Sequence, residues 1–161
     1  MNYALTGGKI LDGTRGMQVQ TGKTVLVDGE TITAIVPDGG DCSGYAVIDL
    51  GGRYLMPGLI NMHVHLAGNG KPQKKQRGNE ALVKKIMATG RAAELAGLGA
   101  VTGTIAAGKC ADLIVTKENP LDDLRALRNV DMVMARGRLT RDPKFKINQT
   151  VATELDRWLK N

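Results

Sequence analysis

The sequence is poor in the residues that most often carry metal or redox chemistry. Its 161 residues include only two histidines and two cysteines. Cys42 and Cys110 are isolated, without C-x-x-C spacing, so neither a disulfide framework nor a thiolate zinc site is indicated and both are expected to be reduced thiols. Any metal chemistry must therefore begin at the two histidines, His63 and His65.

Aromatic residues are also scarce, at 3% of the chain, although the formal net charge is +6. The basic residues concentrate in segments 71–77 and 136–146. A nucleic-acid surface would combine such charges with aromatic side chains that stack on bases, and these are too few here. We therefore expect solvated basic segments and no nucleic-acid partner.

Long apolar runs are missing as well. No run approaches the roughly 18 residues that a membrane span needs, and the first residues lack the charged-then-apolar pattern of a signal sequence. We expect no membrane partner and a soluble, cytoplasmic protein.

Glycine, in contrast, is abundant, with 21 residues. Gly-containing turn signals separate short β-type runs, which predicts many turns and a β-sandwich or small barrel. Segments 24–27 and 31–36, joined by Asp28-Gly29-Glu30, are typical of a β-hairpin. The other β-type runs are residues 3–6, 9–11, 46–50, 53–56, 111–116 and 130–135.

The spacing of apolar residues predicts a helix in two parts of the sequence. Apolar residues follow it from an N-cap at Asn79 through Leu98, but Thr89-Gly90 interrupts the pattern, which favours either one kinked helix or two joined halves. Residues 150–159 form a short amphipathic pattern near the end of the chain.

The histidines stand at the end of the apolar stretch 56–65. In a β-strand alternate side chains share a face, so His63 and His65 would point the same way and could reach one metal ion while Val64 packs behind them. The alternative is that both histidines lie at the end of a short strand without binding a metal.

Two parts of the sequence resemble the amidohydrolase superfamily of metal-dependent hydrolases. Residues 47–65 resemble the segment in which an HxH pair ends the first strand of a (β/α)8 barrel. Residues 102–115 and Asn119-Pro120-Leu121 resemble the segment that leaves the barrel and rejoins the same β-sandwich. The resemblance is to imidazolonepropionase-like and Xaa-Pro dipeptidase-like members of the superfamily.

The segment between the two matching parts is too short to form a complete barrel. A complete barrel takes about 200 residues or more, and only residues 66–111 lie between the HxH pair and Asp112 of the returning sandwich segment. The resemblance therefore implies a β-rich α+β fold in which a helical connector replaces the TIM barrel. We expect a composite β-sandwich from residues 1–56 and 101–146, a barrel-strand remnant plus connector at 57–100, with a junction near Gly90, and a C-terminal helix at 147–161.

The resemblance also implies a ligand set. Superfamily members hold divalent metal, commonly zinc, with the HxH pair, a carboxylated lysine, two further histidines and an aspartate. His63 and His65 match the pair, and the sequence has no other histidine. We assign no catalytic residue. Three interpretations of the chain follow. The first is a non-catalytic scaffold derived from a hydrolase of C–N bonds. The second is a minimal metal-binding hydrolase assembled by oligomerisation through the HxH pair, and the third is a module that self-associates through surfaces uncovered by loss of the barrel.

Overall fold

A computed structural model describes residues 1–60, 89–144, 149, 150, 153 and 156. Ten strands and two short helices lie within residues 1–60 and 89–144, and residues 149, 150, 153 and 156, in the predicted C-terminal helix, are also helical. The strands are β1 (Tyr3–Thr6), β2 (Lys9–Leu11), β3 (Val19–Gln20), β4 (Lys23–Asp28), β5 (Thr31–Pro37), β6 (Ala46–Asp49), β7 (Tyr54–Pro57), β8 (Leu113–Thr116), β9 (Val130–Ala135) and β10 (Arg138–Arg141). The helices are α1 (Thr89–Leu95) and a 3-10 helix (Leu124–Arg128).

The strands form two mixed sheets. The first has the order β5-β4-β1-β6, in which β4 and β5 form the predicted hairpin and β6 runs parallel to β1. The second has the order β10-β9-β8-β7-β2-β3, in which β7 runs parallel to β2. The first sheet thus comes wholly from the N-terminal part, whereas the second takes three strands from each part.

Strands β7 and β8 join the N-terminal and C-terminal parts of the chain. They pair antiparallel, with Tyr54 opposite Thr116 and Pro57 opposite Leu113. Backbone hydrogen bonds outside the strands add to this link, among them Ile32 N to Lys109 O and Ile105 N to Asp12 O. The prediction of a β-rich composite sandwich built from both parts of the chain is confirmed.

Both sheets contribute side chains to the main core. The first sheet supplies Leu5, Val25, Val27, Ile32 and Ile48, and the second supplies Ile10, Leu55, Leu113, Val115, Met132 and Met134. Each fully buried aliphatic side chain contributes about 1.5–3 kcal/mol to folding relative to an exposed one. The core therefore depends on the two parts of the chain together.

Helix α1 ends at Leu95, earlier than the helical spacing through Leu98 predicted. Gly97 lies just beyond it with φ at 72°, a left-handed conformation that ends helices at little cost in glycine. In the described ranges, no helix is long and apolar enough to cross a membrane.

Gly90, where the helical pattern faltered, is buried against the sandwich. Its backbone N–H donates to the carbonyl of Gly13 at 3.2 Å. A Cβ at this position would lie 2.6 Å from Cγ2 of Thr104 and 3.1 Å from the carbonyl oxygen of Gly13. A glycine here is therefore explained by the close approach of α1 to its neighbours.

Two hairpin turns meet at Gly137. The β9–β10 turn consists of Arg136 and Gly137, both with positive φ, as a two-residue type I′ turn requires. Gly137 N donates to the carbonyl of Ala111, and Ala111 N donates to the carbonyl of Glu30. A Cβ on Gly137 would overlap the carbonyl oxygen of Gly29, so this contact between the β4–β5 and β9–β10 turns requires glycine.

We predict that Gly137→Ala destabilises the protein by about 3 kcal/mol or more, because it adds an overlap with backbone to the strain of a positive φ. The matched control is Gly22→Ala. Gly22 has φ at 69°, and a Cβ added to it would meet no other atom within 4 Å, so only strain of about 1–2 kcal/mol is expected. Chemical denaturation measures both, and equal losses would contradict the turn–turn contact.

A second prediction concerns Gly90→Ala. Alanine is favoured over glycine inside a helix by about 1 kcal/mol, yet the contacts with Thr104 and Gly13 should make the exchange destabilising by about 1–3 kcal/mol. Thr104→Ser removes the methyl group that approaches nearest, so the double variant should recover part of the loss. A gain in stability from Gly90→Ala alone would show that α1 does not pack this closely.

Candidate functional site

The strand that leads to the predicted metal ligands is well defined. β7 lies in the middle of the second sheet, and Gly58 N, directly after it, donates to the carbonyl of Asp112 at 2.8 Å. The chain is thus fixed to the sandwich up to the point where the HxH stretch begins. His63 and His65 themselves lie outside the described residues, so their assignment as metal ligands stays a prediction.

Asp112 connects three segments of the chain. Its Oδ1 accepts a hydrogen bond from the backbone N–H of Arg136 at 2.9 Å, and its Oδ2 accepts one from the hydroxyl of Thr102 at 3.2 Å. Its carbonyl accepts the bond from Gly58. The sequence places Asp112 in the sandwich motif, and these contacts fit a structural role at the start of β8.

Lys109 contacts the segment that follows α1. Its Nζ donates to the carbonyl of Gly99 at 2.7 Å, and its backbone N–H donates to the carbonyl of Ala106 within a turn. Gly108, with φ at 85°, supplies the left-handed residue of that turn. The lysine therefore holds the post-helix loop against the turn that precedes β8. The other lysines considered from sequence, in segment 71–77, lie outside the described residues.

The described residues do not fit a hydrolytic metal centre. Within residues 1–60 and 89–144 and the few described positions beyond, no group of three or more His, Cys, Asp or Glu side chains is placed to hold a metal ion. Catalytic zinc generally takes about three protein ligands and a water molecule. The sequence has two histidines in all, so the further histidine ligands of the superfamily pattern have no counterpart in this chain.

Among the described residues, three carboxyl groups have lowered pKa values, each for a local reason. A side-chain hydrogen bond from Ser43 lowers the pKa of Asp41, one from Arg125 lowers that of Asp123, and one from Lys144 lowers that of Asp142. Each partner lies two residues along the chain. Groups tuned for acid–base catalysis are commonly desolvated in a cleft. These carboxylates are accessible to solvent, which indicates that they stabilise local turns and do not serve catalysis.

A cavity of about 470 Å³ lies beside the 3-10 helix. Its acidic and basic side chains are equal in number, and several pair with one another or with neighbours. Arg53 binds Asp131 at 3.2 Å, and Arg128 binds Asp156 at 2.8 Å. Lys144 contacts Asp142. The ionisable lining comprises Lys117, Glu118, Arg128, Asp131, Asp142 and Lys144.

The sequence predicts a turn at Arg136-Gly137-Arg138 after a β-type run, and the structure confirms it. Sequence reasoning missed what this turn contacts and the role of Thr102. The partners of Arg136 and Gly137, which are Asp112 and the β4–β5 turn, lie far away in the sequence. The contacts become visible only once both sheets are assembled.

Part of the chain is similar to known amidohydrolase sequences. The sequence model of the Amidohydrolase family matches residues 75–140. Over 75 residues, 47% of this chain, the sequence is 33% identical to a dihydroorotase from Trichlorobacter lovleyi and 32% identical to one from Geobacter sulfurreducens. In each case the match spans only 17% of the dihydroorotase.

Solved structures share the fold. A candidate prolidase from Bifidobacterium longum matches with a TM-score of 0.73 and 13% identity, over 97% of this chain and 98% of that one. A prolidase solved with N-methylphosphonate-L-proline matches with a TM-score of 0.64 and 11% identity, over 88% of this chain and 100% of that one. These structures show the fold that the chain shares with them, and the family match supports a relationship to the amidohydrolase superfamily over residues 75–140.

Proposed function

We propose that this chain is a barrel-lacking derivative of a metal-dependent amidohydrolase and serves as a non-catalytic β-sandwich scaffold. The observation that carries the proposal is the direct pairing of β7 with β8. These strands close the sandwich although fewer residues separate them than the 200 or so that a complete barrel requires. The sandwich contacts among the described residues come from the N-terminal and C-terminal parts themselves.

The family match and the packing of Gly90 both bear on where the two parts of the chain are joined. The family match runs from residue 75 to residue 140 and so includes the helical pattern on both sides of Gly90. Gly90 also has a packing reason to be glycine, given by Gly13 and Thr104. A junction between His65 and Lys75 is therefore an alternative to the position near Gly90 that the interrupted pattern indicated.

For the parent enzyme we propose hydrolysis of a C–N bond of the amide or peptide type by metal-activated water. The names of the relatives, dihydroorotase and prolidase, support this reaction class. His63 and His65 would be ligands of the metal, which would supply the activated water. The present chain offers two imidazoles and no further histidine, so it would bind a metal weakly and lack the rest of the catalytic set.

A metal-linked assembly is the alternative for the histidine pair. Two chains would bring four imidazoles together, enough for a closed tetrahedral zinc site, although closed sites are generally structural. Catalysis would still require an open coordination position and a base. The scaffold proposal and this alternative differ in metal content, which makes metal analysis the deciding experiment.

We expect protein purified without an affinity tag to contain less than about half an equivalent of zinc per chain, because two imidazoles alone bind weakly. His63→Ala should leave that content unchanged. Hydrolysis of dihydroorotate and of an Xaa-Pro dipeptide, measured with added zinc, should equal that of the His63→Ala/His65→Ala variant. A stoichiometric metal that His63→Ala removes would support the metal-linked assembly, and turnover lost in the double variant would overturn the scaffold proposal.

Self-association is a second candidate function, favoured by exposed apolar side chains. Leu95 is 72% exposed, and Leu98 and Val101 are 47% and 46% exposed in the segment that follows. Leu59, at the point where the chain leaves the sandwich, is 48% exposed. Apolar surface of this kind favours association of like chains when it is contiguous.

If these side chains form an interface, light scattering should show a mass that rises with protein concentration. Leu95→Glu and Leu98→Glu together should return the protein to a monomer, because burying two carboxylates in an apolar contact is costly. Val19→Glu is the matched control, since Val19 is 43% exposed and lies on β3, outside this segment of the sequence. A monomer at every concentration would exclude self-association as the function.

A further inference from the structure

We draw no further inference here: the strongest candidate, the cavity of about 470 Å³ beside the 3-10 helix Leu124–Arg128, is lined by equal numbers of acidic and basic side chains, several of them already in ion pairs, so its chemistry selects no class of ligand.

Discussion

The antiparallel pairing of β7 with β8 is the contact on which the rest of the structure depends. It places Leu55 opposite Val115 and Met56 opposite Ile114. It also joins three strands of the N-terminal part to three of the C-terminal part in one sheet. Without it, the second sheet would divide into two sheets of three strands each. Water would then reach Leu55 and Leu113, which are now buried in the main core.

The turn–turn contact at Gly137 and the hydrogen bonds of Asp112 reinforce the same union. Gly137 brings the β9–β10 turn against the β4–β5 turn of the other sheet. Asp112 links the end of β7 to the segment after α1 and to Arg136. The exposed ion pair between Arg136 and Glu30 adds little, because solvent screens it. The close backbone contacts, rather than surface charge, account for how the two parts are held together.

Local signals made much of the fold predictable. The β4–β5 hairpin follows from two β-type runs around a turn that contains glycine. Strand β8 follows from the apolar run that ends at Thr116. The parallel pairs β1–β6 and β2–β7 could not be predicted in this way, because they join residues far apart in the sequence. Gly90 was interpreted as an interruption of the helix. The close contacts with Gly13 and Thr104 that explain a glycine there are not visible in the sequence pattern. The HxH pair indicated the superfamily, and its role as a metal site stays a prediction.

Native-state hydrogen exchange tests most directly whether the two parts form one cooperative sandwich without a barrel. The account predicts that the slowest amides of β4 and β7 exchange with the same free energy of opening as those of β8 and β9, equal to the free energy of global unfolding. Exchange of β8 and β9 through a separate opening of lower free energy, or a lack of protection in either part, would contradict it.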